Sequence, residues 1–215
     1  ILYEIGKICK SNNISFHVDG AQSLGKTNID VKKMNIDFLS LSAHKIYGPK
    51  GIGCLYINKK YFHKLKPRFY GGSQERNLRP GTLPVPLIVG FGEACKILNK
   101  EQEKESNEIL KKRKLLIQKI KTEIPDVIVN GDRVNRIPGN VNFSFPSLKG
   151  QSIINSMPSI AISGGSACTS SSPKPSHVLK NIGLNKQLIN SAIRICIGRF
   201  NTYEHIEIAA ETIIK

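Results

Sequence analysis

The sequence predicts an α/β layer followed by a smaller α+β unit, with the boundary inside a long helix. Three observations carry that expectation. Short apolar runs at Ile14 to Asp19, Ile36 to Ser42 and Ile52 to Ile57 alternate with helical or turn-rich stretches. A long helical stretch follows, about 87–122, with apolar Ile109, Leu116 and Ile120 at helical spacing. Pro125 then marks a change of regime, after which strand-like runs and short helices mix. The expected domains are 1–100 and 101–215.

The opening residues, Ile1-Leu2-Tyr3-Glu4, read as the middle of a helix, so the chain is expected to be a piece of a longer protein. The first three strand runs are so short and apolar that both faces are expected to be covered. Tyr70 to Pro86 is rich in Gly and Pro and reads as an ordered loop. Beyond Pro125, strands are expected at Val127 to Asn130, Asn140 to Phe145, Ile160 to Ser163 and Ala192 to Ile197. Helices are expected near 150–157 and 175–182. Thr202 can cap a last helix whose apolar face is Tyr203, Ile206, Ala210 and Ile213.

With 215 residues and 40% apolar content, the chain can bury a substantial core. No uninterrupted apolar run approaches the roughly 20 residues of a membrane span, so no membrane partner is expected. The net charge of +16 raises nucleic acid as a partner. The lysines are scattered, however, and the dense group Lys111-Lys112-Arg113-Lys114 reads as a solvated helix face, so none is expected. The five cysteines show neither CxxC spacing nor an even count, which fits no disulfide framework and no zinc site. A reducing compartment is implied. Cys9, Cys54, Cys95 and Cys196 sit among apolar neighbours and are expected to be buried; Cys168 sits in a polar segment.

Two strand ends hold chemistry. Asp19 closes the first strand run and is followed by Gly20-Ala21-Gln22. Ligands of open α/β sheets bind at strand C-termini. A carboxylate there can hold a pyridine nitrogen protonated, and an amide can reach a ring oxygen. Alone, an aspartate in that place is more often a turn or helix cap. Lys45 follows the second run, before the turn Gly48-Pro49-Lys50-Gly51. Alone it would be a surface lysine. With Asp19 one strand earlier, and Ser42 and His44 able to reach a phosphate, the set is that expected of a pyridoxal 5'-phosphate enzyme.

Four stretches carry a resemblance to a known family. They are His17-Val18-Asp19-Gly20-Ala21-Gln22-Ser23-Leu24-Gly25-Lys26, the Ser42-Ala43-His44-Lys45 segment, Gly71-Gly72-Ser73-Gln74-Glu75-Arg76 through Pro84, and Ser163-Gly164-Gly165-Ser166-Ala167-Cys168-Thr169-Ser170. Together they resemble the class V aminotransferase-type enzymes. Within these the chain resembles the cysteine desulfurases of iron–sulfur cluster assembly, of the IscS/NifS group.

The resemblance implies the pyridoxal-phosphate fold type I. The chain would be the C-terminal part of the large mixed or parallel-sheet domain, followed by a small α+β domain bearing the cysteine loop. It implies that Lys45 carries the cofactor covalently, that Asp19 pairs with the pyridine nitrogen and that Gln22 reaches the phenolic oxygen. Ser42 and His44 would hold the phosphate, with Ala43 between them in the cofactor site. Thr82 would serve the partner subunit of a homodimer. Arg194 would bind the carboxylate of L-cysteine, the alternative being a structural ion pair. Cys168 would accept the sulfur as a persulfide and pass it to an iron–sulfur scaffold protein and other acceptors. It would also share a transient iron–sulfur cluster there as a metal ligand. Selenocysteine lyase of the same fold and a non-catalytic basic binding module are the alternatives.

The family's N-terminal portion, with its phosphate loop and ring-stacking histidine, has no counterpart in this sequence. Pro80, Pro158 and Gly164 depart from the usual residues, and Gly164 is expected to loosen the cysteine loop. The wording at Gly71 to Arg76 and Ile124 to Asp132 resembles mitochondrial members; a cytoplasmic location is the alternative.

Overall fold

Val18 and Leu39 are buried on adjacent strands, and the sheet they seed organises the first half of the chain. A computed structural model describes residues 1–164 and 176–215, which form two units, Ile1–Gln102 and Glu103–Lys215.

The first unit opens with helix α1 (Leu2–Ser11) and then builds β1 (His17–Asp19), β2 (Phe38–Ser42) and β3 (Gly53–Ile57), hydrogen-bonded in that order. β1 and β2 are parallel, with His17 opposite Phe38 and Asp19 opposite Ser40. β3 returns antiparallel to β2 and sets Gly53 opposite Ser42. Helix α2 (Val85–Glu123) begins at Pro84-Val85-Pro86, where a proline costs no helical hydrogen bond because the first N–H groups have no intrahelical partner. Within this unit its Phe91, Ala94 and Leu98 close over Ala43 and Ile46.

Asp37 is a buried acid at the entry to β2. It accepts from Phe16 N–H at 3.1 Å and Asn58 Nδ2 at 3.4 Å, and pairs with Lys60 Nζ at 2.9 Å. The hydrogen bond from Lys60 to this carboxylate pushes the lysine pKa up.

Two expectations fail here. β3 is not covered on both faces: Gly53, Cys54 and Leu55 are exposed, because the described residues supply no second layer over them. The cysteines expected to be buried are not: Cys54, Cys95 and Cys196 are exposed and Cys9 is intermediate. Apolar sequence neighbours do not bury a residue that faces away from them, as Cys196 does beside buried Ile195 and Ile197.

The second unit carries β4 (Ile128–Val129), β5 (Asn140–Ser144) and β6 (Ala192–Cys196), antiparallel throughout and in that order. Helices α3 (Gly150–Ser156), α4 (His177–Asn181), α5 (Lys186–Asn190) and α6 (Tyr203–Ile214) complete it. Its core joins Leu116 and Ile120 of α2 to Val141, Phe143 and Ile193 of the sheet and Ala210 of α6, all fully buried. Thr202 caps α6, accepting from His205 N–H at 3.1 Å, while Thr202 N–H donates to His205 Nδ1 at 3.2 Å.

The expected strand at Ile160 to Ser163 reduces to one bridge, Ser163 to Arg194. Helix α5 was not foreseen; five residues are too few to show a period. Tyr203, expected on the buried face, is exposed, and its hydroxyl donates to Glu108 Oε2 at 3.2 Å. Among the described residues no helix is long and apolar enough to cross a membrane.

Candidate active site

The register of the first sheet decides which side chains share a face. Alternate residues of a strand point to opposite sides. His17 and Asp19 of β1 therefore project with Phe38, Ser40 and Ser42 of β2, while buried Val18 and Leu39 face the other way. His17 Nε2 lies 2.8 Å from Ser40 Oγ on that polar face. Because β1 and β2 are parallel, Asp19 and Ser42 both stand at carboxyl ends of their strands, on the same edge of the sheet.

Asp19 is exposed, and its Oδ1 accepts from Ala21 N–H at 3.0 Å, which starts the turn through Gln22. Lys26 Nζ donates to Gln22 Oε1 at 3.2 Å, leaving the Gln22 amide nitrogen as a donor. The turn closes at Gly25, whose φ of +75° is left-handed. A side chain there would strike Leu98 at 2.7 Å and Ile46 at 3.1 Å. Glycine thus lets the Asp19–Gln22 turn sit against the segment that bears Lys45.

That segment, Ala43–Ile46, is a turn of 3-10 helix. Strand alternation stops at Ser42, yet Ser42 Oγ still meets His44 Nδ1 at 2.9 Å. Ala43 is fully buried and its N–H donates to Ile52 O at 3.2 Å, so it fixes the turn from below. Tyr47 ends it with a left-handed φ of +65°, and Gly48 N–H returns to Ala43 O at 3.0 Å. Lys45 is held on a pinned corner of the sheet.

Thr82 is exposed in the loop before α2, and no hydrogen bond ties it to Asp19, Ser42 or Lys45 among the described residues. Just upstream, Glu75, Arg76 and Asn77 all adopt positive φ, with values of 49°, 57° and 64°. Three successive non-glycine residues in that region store strain. The Arg76 guanidinium, 4.7 Å from the centre of the Phe62 ring, helps to hold them.

In the second unit Arg194 lies on β6 opposite Asn142. Its Nε is buried and has no hydrogen-bond partner among the described residues. A buried guanidinium N–H calls for an acceptor, a place that a carboxylate oxygen or a water would fill. Ser163, which opens the cysteine loop, is bridged to the Arg194 backbone. Cys168 itself lies outside the described residues.

The sequence pattern of class-V aminotransferases matches residues 2–208. The chain belongs to the class-V aminotransferase family. It is 51% identical over 213 residues to "Cysteine desulfurase IscS" of Ehrlichia chaffeensis, covering 99% of this chain and 52% of the relative. It is 45% identical over 212 residues to the human protein named "Cysteine desulfurase", covering 99% of this chain and 46% of that one. A solved "NIFS-LIKE PROTEIN" superimposes with a TM-score of 0.88 at 30% identity, over 99% of this chain and 55% of its own. The chain thus spans about half the length of the curated relatives it matches. Its fold is that of fold-type-I enzymes such as the NifS-like proteins.

This class-V aminotransferase chain has donors suited to the cofactor that its family implies, pyridoxal phosphate. One sheet edge offers a carboxylate for a pyridinium N–H, an amide N–H donor for a phenolate, a hydroxyl–imidazole pair for a phosphate and a primary amine. Among the described residues, no group of His, Cys, Asp or Glu could hold a metal ion. His17 and Ser40 share the polar face but were not singled out from the sequence. Their signal is the alternation His17/Asp19 and Ser40/Ser42, polar on every second residue of two apolar runs.

Proposed function

We propose that the full-length protein containing this chain is a pyridoxal-phosphate-dependent cysteine desulfurase. It removes sulfur from L-cysteine, releases L-alanine and carries the sulfur as a persulfide on Cys168. The observation that supports this reading is the set Asp19, Gln22, Ser42, His44 and Lys45 on one edge of the first sheet. The names of the relatives favour cysteine as substrate.

When bound, the cofactor supplies a sink for electrons from the substrate Cα. Asp19 keeps its pyridine nitrogen protonated through the carboxylate oxygen that Ala21 does not use. Gln22 donates its amide N–H to the phenolic oxygen, since Lys26 occupies the amide oxygen. Ser42 and His44 hold the phosphate as a pair. Lys45 Nζ carries the cofactor and moves the Cα proton. Arg194 takes the substrate carboxylate with its planar fork. The Cys168 thiolate attacks the substrate sulfur. The Sγ–S bond forms as the Cβ–S bond breaks; Cβ keeps the electron pair and gains a proton, giving alanine.

The same reading makes the enzyme a homodimer in which Thr82 reaches the partner's cofactor phosphate. Its sulfur goes to an iron–sulfur scaffold protein, with Cys168 joining a transient cluster. We place the protein in the mitochondrion; the matched relatives include both a human and a bacterial protein.

The test uses the full-length protein loaded with pyridoxal phosphate and given L-cysteine, with alanine quantified and Cys168 examined by mass spectrometry. Alanine and a Cys168 persulfide should both form. Cys168→Ser should lose the persulfide and sulfur delivery, and Lys45→Ala the bound-cofactor absorbance and alanine as well. Sulfur delivery by Cys168→Ser at the native rate would overturn the role of Cys168; absence of alanine from the native enzyme would overturn the whole reading.

A further inference from the structure

A pocket of about 260 Å³ in the second unit is walled by five cations: Arg113, Lys114 and Lys121 from α2, and Arg133 and Arg136 from the loop after β4. Ile117 supplies an apolar side. Among the described residues, none of the five forms an ion pair. Asp132 attracts Arg136 electrostatically, but its oxygens are engaged locally. Oδ1 accepts from Val134 N–H at 2.7 Å and Asn135 N–H at 2.6 Å, and Oδ2 from Asn135 Nδ2 at 3.3 Å.

Arg113 is 5% exposed. Its Nη1 donates to Ile137 O at 3.0 Å and its Nη2 to Arg133 O at 3.5 Å, so it clamps the loop that brings the other two arginines round. Arg136 Nη2 donates to Asn130 O at 2.9 Å. The Nε atoms of both Arg113 and Arg136 are buried without an acceptor. Burial and the neighbouring Arg136 push the Arg113 pKa down, the direction expected of a guanidinium facing another with no anion between them.

Gathered like charges are costly, and one multivalent oxyanion would relieve that cost. A single phosphate would neutralise fewer than half of these charges. The volume is that of about nine waters, enough for a short chain of phosphoryl groups. A pocket of about 260 Å³, rather than a long groove tracking a backbone, favours a small molecule over a nucleic-acid strand.

We propose that this pocket, whose lining includes none of Asp19, Lys45 and Arg194, binds a small polyanion of linked phosphoryl groups. The test titrates tripolyphosphate into the full-length protein by calorimetry at low salt, with pyridoxal phosphate already saturating its own site. Saturable binding is expected. Arg133→Glu and Lys121→Glu, whose side chains carry no folding contact named above, should each weaken it about tenfold or more, and Arg133→Lys less than about threefold. Reversing Lys32 and Lys33, exposed in the first unit, should leave affinity within about twofold. Absence of saturable binding would overturn the proposal. So would equal weakening by the Lys32/Lys33 reversal, which would mean a diffuse field. A single-stranded oligonucleotide that binds in an Arg133-dependent way while tripolyphosphate does not would overturn it in favour of nucleic acid.

Discussion

Ser163 and Arg194 exchange both backbone hydrogen bonds, Arg194 N–H to Ser163 O at 2.5 Å and Ser163 N–H to Arg194 O at 3.2 Å. The segment that leads to Cys168 thus starts beside the arginine proposed for the substrate carboxylate. Ser163→Pro removes one of the two donors and restricts the backbone. In the full-length enzyme it should slow sulfur transfer to Cys168 about tenfold, with circular dichroism unchanged. An unchanged rate would mean that the bridge does not position the loop.

Arg194→Lys keeps the charge and loses the fork. Michaelis constants for L-cysteine should rise about tenfold to a hundredfold, with a smaller change in kcat. Steady-state alanine release measures both. A fall in kcat alone would argue for a structural role.

Ser42→Ala breaks the pair with His44, 2.9 Å away. Spectrophotometric titration of the full-length apoprotein should show cofactor affinity lowered about tenfold, as for loss of one hydrogen bond to a charged group.

Asp37→Ala leaves Phe16 N–H and Asn58 Nδ2 without their acceptor in a buried place. Urea unfolding should show a loss of about 3 kcal/mol. Leaving stability unchanged would show that water replaces the carboxylate at no cost.

Lys60 gives the same cluster a pH signature. Its folded pKa is raised above the ordinary 10.5 by the bond to Asp37. Its contribution is therefore fully present below that value and is lost as pH climbs through the higher folded one. The lysine side chain is 60% exposed, so the effect should be small and salt-sensitive. Thermal melts of Lys60→Met between neutral and strongly alkaline pH should lack this part of the decline shown by the native chain.

Much of the candidate site was legible in the sequence because strand ends are marked by composition. Asp19 and Ser42 each follow an apolar run, and the Gly48-Pro49 turn fences Lys45. Leu116, Ile120, Ile206, Ala210 and Ile213 were legible as core too, since a helix face repeats regularly. Exposure of single residues was less legible. Tyr203 sits at the first turn of α6, where Glu108 offers its hydroxyl a partner outside the core. Ile160 to Ser163 is apolar enough for a strand but finds one bridge only. The cation pocket was invisible for another reason. Arg113 and Arg136 lie 23 positions apart and meet only because a loop folds back, whereas the lysine-rich run alone read as a solvated face.

The Arg113 clamp grips main-chain oxygens at positions 133 and 137, not side chains. A loop fastened through its carbonyls keeps its course whatever residues it displays. Evolution can therefore rewrite the outward chemistry of positions 133 to 135 one substitution at a time, without renegotiating the fold. Here Arg133 makes that stretch basic; the same frame could carry a neutral or acidic surface.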